Sequence, residues 1–179
     1  MKTQTELGLL FHSLAFAAHK HRAQRRKDKE ASPYINHPIA LADVLVNEGG
    51  VDDPVALCAA VLHDTIEDTE TSYEELQQRF GKEVADVVLE VTDDKTLLKA
   101  ERKERQVTHA PHLSQRARLV KLADKICNLR DIASNPPANW PLERKQEYYE
   151  WAKRVIDGLR GAHPGLERLF DLEYARKPD

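Results

Sequence analysis

Residues 54–62, PVALCAAVL, carry no charged side chain, and the six that follow, HDTIED, carry four that are acidic or imidazole: His63, Asp64, Glu67 and Asp68. Asp53 and Pro54 supply an N-cap and a helix-starting proline, so the apolar stretch reads as a helix. It is apolar on every side, which places it in the middle of a structure and not at its surface. Carboxylates at the end of a buried helix cost several kcal/mol each unless something compensates them. Any fold for this chain must therefore deliver compensating groups to that helix end.

The remaining pattern is also helical. Leu7, Leu10, Phe11, Leu14, Ala17 and Ala18 share one face of a first helix. Pro38, at a first-turn position, opens a second helix that stops at Gly49-Gly50. Ser72 with Glu75 forms a capping box, Gly81 is a stop, and Val84, Val87, Val88 and Val91 repeat at helical spacing. TDDKTLLKAERKERQ is highly charged and lies on the surface as helix or loop. Ser114 caps QRARLVKLADKICNLRDI, which ends before Asn135-Pro136-Pro137, and Pro141 starts a helix that turns Tyr148, Trp151, Ala152, Val155 and Leu159 inward. A last short helix near Leu166, Leu169 and Phe170 runs into a tail, ARKPD, expected to fray. No strand alternation, internal repeat or low-complexity linker interrupts this, so the chain reads as one all-α domain.

Length and charge narrow the class. A chain of 179 residues suits one domain and buries roughly 70% of its unfolded surface, enough for a core without cross-links. Lysine plus arginine number 27 and aspartate plus glutamate 30, a net charge of −3, so no global basic excess points to nucleic acid or a membrane surface. No run approaches the ~18 apolar residues that span a bilayer, and MKTQTELGLL lacks a leader's apolar run and cleavage site. Cys58 and Cys127 both sit in apolar helical patterns and read as buried free thiols. These features predict a cytoplasmic protein; nothing in the pattern fixes its oligomeric state.

Two distant segments offer partners for HDTIED. Asp124 borders the apolar arc of its helix, beyond Val120, and His37 precedes Pro38 in YINHP. His37, His63, Asp64 and Asp124 are a ligand set suited to manganese, iron or zinc, whose charge would offset the carboxylates and keep both imidazoles neutral. Glu67 and Asp68, one turn on if the helix continues, could then take a proton from water. Plainer readings stand beside this one. An adjacent His-Asp pair occurs by chance, His37 could be a helix cap or a buried histidine, and Asp124 could pair with Lys121 or Arg130. Lys20, Arg22, Arg25, Arg26, Lys27 and Lys29 form either a phosphate-binding patch or a solvated basic loop. Arg130 sits inside the apolar arc and predicts an ion pair with an acidic residue of a neighbouring helix. Trp140 and Trp151 read as packing residues.

HRAQRRKDKEASPYINHP, LHDTIEDT, VTDDKT with the following ERK, LVKLADKICNLRD and EYYEWAKRV together resemble the HD-domain hydrolases of the RelA/SpoT type. The likeness is closest to the small stand-alone alarmone hydrolases and spans roughly residues 14 to 160. It implies a single HD-domain helical bundle over 1–179 that hydrolyses the 3′-pyrophosphate of guanosine tetra- or pentaphosphate, (p)ppGpp. On this resemblance His37, His63, Asp64 and Asp124 bind the metal, usually Mn2+, and Glu67 and Asp68 orient and activate the attacking water. Arg26 and Lys27 line the base pocket with Tyr34 at its entrance, and Asn128 contacts the nucleoside. Lys99, Arg144 and Tyr148 contact phosphates. A chain of this length would only degrade the nucleotide, the expected partner being that small molecule. The rival expectations are a phosphatase acting on NADPH or another phosphorylated nucleotide at the same metal, and a nucleotide sensor without turnover.

Overall fold

The computed structural model describes residues 5–179; the four before them, part of the N-terminal stretch read above for a leader, lie outside the described residues. In chain order the helices are α1 (Glu6–Lys20), α2 (Asn36–Asp43), α3 (Pro54–Leu62), α4 (Thr65–Asp68), α5 (Tyr73–Phe80), α6 (Lys82–Val91), α7 (Lys99–His109), α8 (Gln115–Ser134), α9 (Leu142–Asp157) and α10 (Pro164–Tyr174). The fold is all-α; the one strand-like feature among the described residues is an isolated bridge between Arg25 and Pro33.

Side-chain caps start several of these helices. Asp53 accepts from the N–H groups of Val55 at 2.9 Å and Ala56 at 3.3 Å, Ser72 from Glu75 N–H at 3.1 Å, and Ser114 from Ala117 N–H at 3.3 Å. Gly81 joins α5 to α6 at φ +90°, a conformation that disfavours any residue with a Cβ. Every residue of α3 from Ala56 to Leu62 is buried, and the helix packs against α1, α2, α6 and α8. The twenty-residue α8 touches α2, α3, α6, α9 and α10, so these two helices organise the core between them. Cys58 and Cys127 are buried free thiols, and burial pushes both thiols up from their ordinary value.

Arg130 on α8 makes a bidentate pair with Glu48, at 2.6 and 2.9 Å, and a third bond to Glu173 of α10 at 2.9 Å. Glu48 ends a π-helical turn, Val44–Glu48, that continues α2 and closes with Gly49 N–H donating to Val44 C=O. The tail differs from expectation. Lys177 pairs with Glu150 at 2.7 Å and Gln146 donates to the Pro178 carbonyl at 3.1 Å, which ties the C-terminus to α9. The charged α7 lies on the surface as expected, without one fully buried residue. No helix among the described residues is long and apolar enough to cross a membrane.

Candidate active site

The helix carrying PVALCAAVL does not run on through HDTIED. It ends at Leu62, and α4 begins only at Thr65. Two side chains explain the break. His63 Nδ1 lies 2.8 Å from the Ala60 carbonyl, and the Thr65 hydroxyl donates to the Leu62 carbonyl at 2.7 Å. Side-chain donors thus occupy carbonyls at the point where the next helical turn would start. His63 and Glu67 therefore lie on either side of the break, whereas Asp64 caps α4 and its carbonyl accepts from Asp68 N–H at 2.8 Å, so Asp64 and Asp68 share one turn.

At this corner α2 delivers His37 and α8 delivers Asp124. His37, His63 and Asp124 are all buried, and each offers a ligand atom within 4.8 Å of the others. A carbonyl can only accept, so His63 Nδ1 carries the proton of the neutral ring and Nε2 presents a lone pair. That Nε2 lies 2.9 Å from Asp64 Oδ2. Two acceptors facing each other require a cation there, a proton or a metal ion. Burial lowers the proton affinity of His63, but Asp64 and then Asp124 raise it, and the net shift is upward. His37 is pushed down by burial, and its Nδ1 has no hydrogen-bond partner.

Asp124 keeps its charge in the core because three groups surround it. Lys125 Nζ donates to Oδ2 at 2.8 Å, Asn128 Nδ2 to Oδ1 at 2.7 Å, and His37 Nε2 lies 3.2 Å from Oδ1. Burial opposes ionisation, yet Lys125 and His37 hold the carboxyl well below the usual range. The cation beside Asp124 is thus its sequence neighbour Lys125, neither Lys121 nor Arg130. Lys125 also sits 4.4 Å over the Trp151 ring. Asp64 is likewise held low by His63 and His37 against the effect of burial, and it accepts a hydrogen bond from the Tyr34 hydroxyl.

A cavity of about 890 Å³ opens beside this group, with His37, Glu67 and Asp68 in its wall. The two carboxylates differ. Glu67 Oε2 accepts from the Asp93 backbone N–H at 3.1 Å, while burial, Asp93 and Asp64 push its pKa up. Asp68 accepts from Gln24 Nε2 at 2.9 Å and pairs with Lys95. Of the residues proposed from sequence for substrate, Arg26, Lys27, Tyr34, Asn128 and Tyr148 line the cavity. Arg26 bonds Asp131 and lies 5.8 Å from the Tyr34 ring centre. Lys99 and Arg144 stand outside the lining; Arg144 sits 4.4 Å over Trp140, which does line it.

A family model described as HD domain matches residues 13–151. This chain belongs to the HD domain family. HD domain relatives named guanosine-3′,5′-bis(diphosphate) 3′-pyrophosphohydrolase MESH1 are 53% identical over 167 residues in Xenopus tropicalis and 54% identical over 166 residues in Homo sapiens. Each alignment covers 93% of both chains. A solved structure described by the words "A metazoan ortholog of SpoT hydrolyzes ppGpp and plays a role in starvation responses" superposes with a TM-score of 0.91 at 46% identity, covering 94% of each chain.

HD domains depend on a metal, and the donor set here fits one. Two imidazoles and one or two carboxylates suit a borderline divalent ion. The partnerless His37 Nδ1 and the lone pair of His63 facing Asp64 are what a cation-free view of such a site would leave. Sequence reasoning gave no site role to Gln24, Lys95 or Arg102 and read Trp140 as a packing residue; all four are in the cavity wall of this HD domain. Lys95 and Arg102 lie in VTDDKT and the ERK that follows, segments that carry the family resemblance, but neither shows by its spacing that it faces a cavity.

Proposed function

We propose that the chain hydrolyses (p)ppGpp at the 3′-diphosphate, releasing pyrophosphate and leaving GDP or GTP. The observation that carries this reading is the buried His37–His63–Asp124 group beside a cavity lined by both carboxylates and cations, in a chain whose relatives bear that activity in their names. Residues 1–179 are read as one HD-type phosphohydrolase domain, with Mn2+ as the ion and Asp64 as its fourth ligand.

A bound divalent ion supplies Lewis acidity to a phosphoryl oxygen and makes water easier to deprotonate. The rest falls to the protein. Water adds its oxygen to the phosphorus bonded to O3′, the P–O3′ bond breaks, and O3′ leaves, taking a proton from solvent to become the 3′-hydroxyl. Glu67 accepts the proton given up by the water. Its raised pKa makes it a better base than an ordinary surface glutamate, and the Asp93 N–H fixes its direction. Asp68, anchored by Lys95 and Gln24, orients the water. Arg26 and Tyr34 frame the nucleoside, with Asn128 reaching it from α8, and Tyr148 on α9 contacts the phosphates. Lys27 contributes positive charge for the phosphates.

The test is pyrophosphate release from ppGpp by the purified chain, with chelator and then with restored Mn2+. Release that stops with chelator and returns with manganese is expected. No release in the presence of manganese, or faster phosphate release from NADPH than pyrophosphate release from ppGpp, overturns the reading.

A further inference from the structure

The cavity beside the metal-binding group must accept a polyphosphate although Glu67 and Asp68 line it. Most of its cations are already engaged: Arg26 with Asp131, Lys95 with Asp68, and Arg25 with the carbonyls of Arg22 and Gln24. Lys27 is exposed to water. Arg102, in the first turns of α7, is the exception. Its side chain has no carboxylate or carbonyl partner among the described residues, and its Nε is buried without a hydrogen bond. Arg26, by contrast, shares the same wall paired with Asp131.

Arg102 also borders a second cavity, of about 300 Å³, and is the one residue common to both linings. Nothing on that side satisfies it. Lys121 there donates to the Val91 carbonyl at 2.8 Å, and Arg105 faces Asp94 at 3.8 Å. Both oxygens of Asp93 accept from Gln106 Nε2, at 2.9 and 2.7 Å, and Glu90 accepts from the Ser114 hydroxyl at 2.5 Å. A guanidinium with a buried, partnerless N–H in the wall of a cavity is unfavourable until an anion arrives. The protein itself offers it no anion, so one from outside fits there.

Position says which part of the substrate supplies it. Gln106 is four residues after Arg102 on the same face of α7, and it holds Asp93, whose N–H holds Glu67. Arg102 therefore belongs to the water-activating end of the cavity. We infer that Arg102 is a catalytic residue that binds the 3′-diphosphate, the group that departs as pyrophosphate, and not the base or the 5′-phosphates. This inference rests on the substrate reading given above.

The experiment compares the manganese-loaded wild type with Arg102→Gln and Arg102→Lys. It measures ppGpp turnover and inhibition by pyrophosphate and by GDP, with manganese in excess over total pyrophosphate. In Arg102→Gln the pyrophosphate inhibition constant rises about tenfold or more and kcat falls, while GDP inhibition is unchanged. Arg102→Lys recovers part of the pyrophosphate binding but not the bidentate geometry. Unchanged pyrophosphate inhibition, or equal weakening of pyrophosphate and GDP, overturns the inference. A wild type that releases no pyrophosphate from ppGpp instead overturns the substrate reading itself, so the two failures are told apart.

Discussion

Glu67 and Asp68 are adjacent carboxylates with opposite surroundings. Lys95 and Gln24 hold Asp68 closely, whereas Glu67 has Lys95 only at 4.0 Å, accepts one backbone N–H and faces the charges of Asp93 and Asp64 as well as Asp68. That difference is the ground for proposing Glu67, and not Asp68, as the proton acceptor. Glu67→Gln is expected to keep its metal, measured as bound ion per chain, and to lose about a hundredfold or more in kcat. Near-normal kcat would move the role to Asp68. The sign of a second effect follows from charge. Asp93 raises the Glu67 pKa, so removing its charge makes Glu67 ionise more readily. Asp93→Asn keeps the backbone N–H that binds Glu67, and the acid limb of its kcat–pH profile should move to lower pH. A limb that stays in place, or moves up, would show that Glu67 does not govern it.

The helices were legible where their signals are local. Asp53-Pro54, Gly81 and Ser114 act within a few residues and do in the structure what their positions imply; Ser72 caps its helix, but the expected box stays half made because the Glu75 carboxylate pairs with Lys20 at 2.8 Å. The break between α3 and α4 was not legible, because it depends on His63 and Thr65 turning back to the carbonyls of Ala60 and Leu62. The π turn at Val44–Glu48 was equally hidden: the sequence marks where the segment stops but not its extra residue per turn. Arg130 shows what an apolar arc does predict. Its position demanded an acidic partner from another element, and it found one at each side, Glu48 and Glu173. Glu173 is buried and keeps only Arg176 if Arg130 is removed. Arg130→Gln is expected to cost about 2 kcal/mol in denaturant unfolding, less than a fully buried pair because Arg130 is partly exposed. Metal content should be unaffected.

For the whole molecule, the all-α architecture followed from periodicity, but the meeting of His37 with Asp124 did not. These residues lie 87 apart in sequence, and only the packing of α2 on α8 brings them to 3.2 Å. A metal held there ties α2, α8 and the end of α3 together and binds the folded chain alone. At a hundredfold excess over its dissociation constant it would add about 2.7 kcal/mol. Thermal unfolding of the stripped protein should therefore rise by about 5–10 °C on adding manganese, and Asp124→Asn should abolish the shift. No shift in the wild type would count against the ligand set. The charged helix α7 stands apart from this arrangement. It buries no residue fully and is tied to α9 by polar contacts, the Trp151 indole N–H to the Lys103 carbonyl and Arg154 to Glu104. Its amides are expected to exchange faster than those of the buried α3 and α8. Nucleotide that reaches Arg102 would slow that exchange, and the slowing along Lys99–His109 would report occupancy of the cavity.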